Sequence, residues 1–323
     1  MSFVINCGLM LTLAGLGTAA QGQEMPKDYQ EALTMLGKKG DFKEQVLKIN
    51  IPRNDLKVSI AAVQTPTAFG FGGWVAMTKG EKDMDVAMGD LVLLEDEVNP
   101  VMSALLENGL EVTALHNHFF WEQPRVFYMH VHGHGKPGDL ARKLKPALDL
   151  IGHAPAQAGA ERLAMGGVQK AGKAVQVVEG KLDVEKLDNI IGRKHDQTGP
   201  VSKFTIGRDD LQIREMGATI NARMGLNTWA AFVGTDENAA IAGDVAMLES
   251  EVNPVLKALR QHQLEVVAIH HHMFGTQPQI IFLHYWGTGP ATQLAEGFKA
   301  ALGELGKGRR SAHDMPEPTG RPK

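Results

Sequence analysis

The sequence predicts an α+β fold made twice: two homologous domains in tandem, each an antiparallel sheet packed with helices. Three observations predict it. Residues 89–135 align without a gap on residues 243–289 at a spacing of 154, and 23 of the 47 pairs are identical, far too many for chance. Residues 28–77 align on 183–232 at a spacing of 155, so one deletion in the second copy reconciles the two offsets. Within each copy, strand-like segments alternate with helical ones, and the last two strands are joined by a turn too short for a parallel crossover.

The elements follow in order. Residues 1–23 read as an export signal: an apolar run, Leu9 to Leu16, then small residues Gly17-Thr18-Ala19-Ala20 that offer a cleavage site, although the n-region lacks Lys or Arg. The first repeat is assigned to 24–151, a linker rich in Ala, Gly and Gln to 152–180, the second repeat to 181–305, and a polar Pro/Gly tail, expected to be disordered, to 306–323. Each copy opens with a helix, 28–36 or 183–191, stopped by Gly37 or Gly192. Strands are expected at 46–51, 56–63, 73–77 and 90–94, with counterparts at 203–206, 211–220, 228–233 and 244–248. Asn99-Pro100 and Asn253-Pro254 are expected to start the next helix, because Asn caps free N–H groups and Pro at the first position loses no hydrogen bond. Hairpins are predicted at 111–120 with 125–132 and at 265–274 with 279–286, and closing helices at 139–151 and 293–305.

Composition removes several functions. With 33 basic against 37 acidic residues the net charge is −4, without a basic stripe, so nucleic acid is not an expected partner. No apolar run after the leader is long enough to span a bilayer, so stable membrane insertion is not expected once the signal is removed. The single cysteine, Cys7, lies inside the leader; processing leaves no thiol for catalysis, disulfides or metal. A periplasmic or secreted protein is the expectation.

The chemistry-bearing residues recur with the repeat. His116-Asn117-His118 and His130 return as His270-His271-His272 and His284. Side chains alternate across a strand, so His116 and His118 share a face, and in a hairpin turning at 122–125 His130 falls opposite His116. Each copy is thus expected to hold its own triad, His116, His118 and His130 or, separately, His270, His272 and His284. Three neutral imidazoles suit a divalent ion, zinc first, with water completing the shell. Fifteen methionines, Met77, Met84, Met88 and Met129 among them, make copper the second choice, although core packing explains most of them. Two other readings share the spacing: a metal-free polar site, and histidines that serve only the core.

Glu97 and Glu251, just before the capped helix, are the candidate catalytic bases; they equally suit a fourth ligand, a carboxylate behind an imidazole, or a charge favouring the helix N-terminus. His132 and His134 extend the cluster in the first copy only, where the second has Trp286 and Thr288. His116-Asn117-His118 with Glu122 imitates the first cupin motif, but Thr276 replaces that Glu in the second copy, so the match is set aside.

At Glu97-Val98-Asn99-Pro100, His116-Asn117-His118 and their second-copy equivalents the chain resembles the LppY/LpqO family of exported bacterial proteins, over roughly 28–151 and 183–305. The resemblance implies export and a duplicated domain, and brings no catalytic assignment. Mycobacterial members look like lipoproteins; Cys7 precedes the apolar run, which departs from that pattern and implies a soluble product. The leading reading is an exported metal-binding protein, with hydrolytic or lyase chemistry if it is an enzyme. The alternative is a non-catalytic periplasmic module for a cell-envelope ligand or small anion, with Trp121 or Trp286 lining its pocket.

Overall fold

The computed structural model describes residues 23–153 and 180–307. The expected leader, apart from Gln23, most of the linker and most of the tail lie outside the described residues.

The first repeat runs α1 (Lys27–Leu36), β1 (Asp41–Lys43), β2 (Val46–Pro52), β3 (Val58–Ile60), β4 (Val63–Thr65), β5 (Gly72–Lys79), β6 (Asp85–Leu94), α2 (Glu95–Glu107), β7 (Glu111–His116), β8 (Glu122–Gln123), β9 (Val126–Gly135) and α3 (Pro137–Leu148). The second runs α4 (Val184–Ile191), β10 (Asp196–Thr198), β11 (Val201–Gly207), β12 (Ile213–Glu215), β13 (Ala218–Ile220), β14 (Asn227–Gly234), β15 (Ala239–Leu248), α5 (Glu249–Gln261), β16 (Glu265–His271), β17 (Ile280–Gly289) and α6 (Ala291–Leu302). Each forms a six-stranded antiparallel sheet, in order β1-β2-β5-β6-β9-β7 and β10-β11-β14-β15-β17-β16. The α+β fold and its duplication are as the sequence predicts.

Alternation divides the sheet faces. Leu47, Ile49, Val75, Met77, Leu91, Leu93, Met129 and Val131 point to one side, where they pack with Tyr29, Ala32, Val101, Leu105 and Leu144 of the three helices. The residues between them face the other repeat. Val92, Val126 and Tyr128 join Val201, Ala231, Ala242 and Trp286 in one apolar cluster, while Val46, Ala76 and Met88 join Ile213, Ala246, Ile280 and Phe282 in its counterpart. The two sheets therefore stack face to face with helices outside, related by a pseudo-twofold axis.

Two local expectations change. The single strand expected at 56–63 is a tight hairpin, β3 and β4, because Ala61 and Ala62 take left-handed backbone conformations (φ 46° and 68°) and reverse the chain; Met216 and Gly217 do the same between β12 and β13. The helices begin at Glu95 and Glu249, four residues before the expected Asn-Pro starts, so Pro100 and Pro254 lie inside them. Glu97 supplies the cap instead: its Oε2 accepts from the Leu94 N–H at 2.7 Å, and Glu251 accepts from Leu248 at 2.8 Å.

Candidate metal centre between the repeats

The register lays a polar stripe across each inter-sheet face. On the first sheet Trp74 pairs with Asp90, Asp90 with His130, and His130 with Ala114, so the first three stand side by side on adjacent strands. Trp229, Asp244, His284 and Ala268 repeat the row. His116 pairs with Tyr128, two positions from the expected partner His130; β7 also carries an irregularity between Val112 and Ala114. The parity survives, and the His116 and His130 rings lie 4.8 Å apart.

When the sheets stack, the stripes meet, and the two expected triads become one centre. His118 stacks on His284 at 3.6 Å, His130 on His272 at 3.7 Å, and His116 on His270 at 3.9 Å; every one of these pairs joins the two repeats. The expectation of two separate sites is therefore corrected: neither hairpin is covered by its own domain, and each triad is completed by the other's. The ligating nitrogens of His116, His270 and His284 lie within 4.8 Å of one another. His118 Nε2 is 3.1 Å from His116 Nε2, and His270 Nε2 is 2.7 Å from His284 Nε2. Two nitrogens bound tetrahedrally to one ion at about 2.0–2.1 Å stand about 3.3–3.4 Å apart, so the first pair is close to a coordination edge and the second would have to open by about half an ångström.

Burial sets the charge states. It holds all six imidazoles far toward the neutral form: His270 is pulled down to about 4, His272 to about 3 and His116 to about 2, with neighbouring histidines adding to the effect at His116 and His272. His118, His130 and His284 are also lowered well below the usual value, by burial and then by the surrounding imidazoles. Neutral imidazole is the ligating form. Asp90 Oδ1 lies 3.8 Å from His130 Nε2, and Asp244 Oδ1 lies 3.8 Å from His284 Nδ1. Burial pushes the Asp90 carboxyl up to about 8 and raises that of Asp244 well above its usual range. Among the described residues, Nδ1 of His116, His130 and His284 and Oδ1 of both aspartates have no hydrogen-bond partner. Buried polar atoms left in that state are costly, and a cation held by nitrogen with carboxylates behind it is the chemistry that relieves them.

Glu97 and Glu251 are not part of this centre. Glu97 is 2% exposed and every contact it makes is structural: Arg53 Nη1 and Nη2 donate at 2.6 and 3.1 Å, the Leu94 N–H at 2.7 Å and the Gly152 N–H at 2.7 Å. Arg208, Leu248 and Gly306 hold Glu251 likewise. Both carboxylates are saturated by donors, which removes them as bases. His132 is engaged elsewhere, between Glu215 (2.6 Å) and Glu111 (3.2 Å), and His134 is exposed, so neither extends the cluster. Trp121 is 60% exposed and Trp286 packs against Phe69 and Phe119; the tryptophans of the stripe are Trp74 and Trp229. Met77 and Met129 belong to the helix-side core and Met88 to an apolar cluster, so packing accounts for these three of the thioethers that suggested copper, while Met84 is half-buried outside the clusters.

Sequence reasoning missed Lys48, Trp74 and Asp90 with their counterparts Lys203, Trp229 and Asp244. Their signal was present, since each pair is identical at the repeat spacing. Single polar residues within apolar strands hid it.

Fold and site together define a duplicated α+β protein with a histidine centre shared by its halves. The chain belongs to the family described as Domain of Unknown Function (DUF1259), which matches residues 30–150 and 185–304, one match per repeat. No curated protein matches it. Among solved structures, the trimeric bacterial microcompartment shell protein PduB is similar at 12% identity over 86% of this chain and 95% of its own, with a TM-score of 0.21. EtuB from Clostridium kluyveri is similar at 8% identity over 85% and 93%, with a TM-score of 0.22. At such scores the likeness carries no argument about assembly or role. No helix among the described residues is long and apolar enough to cross a membrane.

Proposed function

We propose that the chain is an exported protein that binds a divalent transition-metal ion, zinc before copper, at the composite centre between its repeats. One observation carries this: His116, His270 and His284, drawn from both halves, bring their nitrogens within 4.8 Å of one another. Burial keeping them neutral supports it, because protons do not then compete with the ion. The export part rests on the leader-like residues 1–23 and on the resemblance to LppY/LpqO proteins. Hydrolytic or lyase chemistry would need a base other than Glu97 or Glu251, so binding, rather than catalysis, is the role the geometry favours.

A second reading is a metal-free binding site for a small-molecule or cell-envelope ligand. The 3.1 Å and 2.7 Å nitrogen pairs favour it to the extent that two neutral imidazoles can share a proton at such distances. Elemental analysis of the purified chain, after zinc loading and dialysis, separates the two. Stoichiometric zinc that is lost in His116→Ala and in His284→Ala supports the metal centre; metal content indifferent to both substitutions rejects it.

A further inference from the structure

The polar stripes extend beyond the histidines to a pair of lysines. Lys48 on β2 and Lys203 on β11 are counterparts at a spacing of 155 and project from the inter-sheet faces, opposite Ala76 and Ala231. Each ammonium rests on a stripe tryptophan: Lys48 Nζ is 4.5 Å from the Trp74 ring centre and Lys203 Nζ is 4.1 Å from that of Trp229. Trp74 in turn lies 6.1 Å from the His272 ring, so lysine, tryptophan and histidine form a continuous line into the centre.

An aromatic face stabilises an ammonium but accepts no ordinary hydrogen bond, and lysine has three N–H donors to satisfy. Among the described residues, neither Nζ has a hydrogen-bonding partner or a carboxylate at ion-pair distance. Burial pulls both ammonium groups down to about 8; the charges of Lys203 and Arg223 add to it at Lys48, and the carboxylates that oppose it, Asp41 and Asp90 at Lys48 and Asp244 and Asp196 at Lys203, do not offset it. Two half-buried like charges on the inter-sheet faces, neither with a hydrogen-bonded acceptor among the described residues, call for a negative group beside them.

We propose that Lys48 and Lys203 bind the anionic group of a small ligand, a carboxylate or a phosphate-like oxyanion, whose other end faces the histidine centre. Only the position of that other end rests on the metal reading; the lysine-held anion stands by itself. The line of contacts orients the ligand, with the charge at the lysines, its body along Trp74 or Trp229, and any donor atom toward the imidazoles.

Calorimetric titration of the full chain with inorganic phosphate and, separately, oxalate tests this, using zinc-loaded and metal-stripped samples with zinc content measured on each. Wild type is expected to bind at least one probe, and K48M/K203M to bind it at least about tenfold more weakly. The charge-preserving K48R/K203R is expected to retain binding, which separates loss of the anion site from loss of fold. Failure of both probes to bind wild type at about 10 mM, or equal affinity in wild type and K48M/K203M, overturns the proposal. Lysine-dependent binding by metal-stripped protein upholds it even where zinc does not bind, whereas zinc uptake without any anion binding sinks this inference alone.

Discussion

His118 of the first repeat lies flat against His284 of the second, with ring centroids 3.6 Å apart. A site shared in this way behaves differently from two independent ones under mutation. Removing a histidine from one repeat is expected to abolish zinc uptake by the whole chain rather than halve it. Equilibrium dialysis of His284→Ala and His116→Ala against wild type reads the difference, and half-stoichiometric binding by either variant counts against a shared centre.

Glu97 is expected to matter for stability and not for metal. Truncating Glu97 leaves the buried Arg53 with only the half-exposed Asp55 as its carboxylate partner, so Glu97→Ala is expected to cost about 3 kcal/mol in urea denaturation, the low end for breaking a buried pair. Zinc stoichiometry of the folded variant should equal that of wild type. An unchanged denaturation midpoint would contradict the structural role of this carboxylate.

The metal-stripped chain should have a pH-dependent stability of predictable sign. The cluster histidines have folded pKa values below the unfolded one, so between pH 4 and 7 the unfolded chain binds more protons and the histidines make stability fall as pH falls. Asp90 acts oppositely: its carboxyl is raised to about 8, so the folded chain holds the extra proton and this residue makes stability fall as pH rises toward 8. Asp90→Asn removes its share of this second slope, to which Asp244, also raised, contributes in the same direction. Relative to wild type, the variant is expected to gain stability from about pH 5 to about pH 8, and a constant difference across that interval would show that Asp90 titrates normally.

His132 and Glu215 form a cross-repeat contact that the other half replaces with Trp286 and Ile60. Burial disfavours the charged imidazole, but Glu215 and Glu111 outweigh it and raise the His132 pKa. Its stabilising share is therefore complete below the unfolded value and lost as pH rises through the folded one. Glu215→Gln is expected to lower the His132 pKa, read from the pH titration of its ring proton by NMR. His132→Trp with Glu215→Ile copies the apolar half and is expected to abolish this part of the pH dependence.

The duplication, the antiparallel hairpins and the parity of the histidines were legible in the sequence because they depend on local alternation and on one fixed spacing. What covers the histidine face was not legible from parity alone. Tyr128 and Met129 are both buried although they point to opposite sides, so β9 is covered on both faces, and a nearly unbroken apolar run of this kind is the only local trace of it. The role of Glu97 was hidden for a different reason: Arg53, its partner, lies 44 residues away, and no local pattern announces a buried ion pair. Asn99-Pro100 misled because its capping chemistry is sound, yet Glu97 reaches back to cap one turn earlier.

Because each half finishes the other's histidine set, a lone repeat cannot rebuild the centre except by pairing with its own twin. An ancestral single-repeat homodimer would have held two identical halves. Fusion into one polypeptide freed them to diverge, and the exchange of Tyr128 for Phe282 and of His132 for Trp286 records where the ancestral symmetry has begun to break.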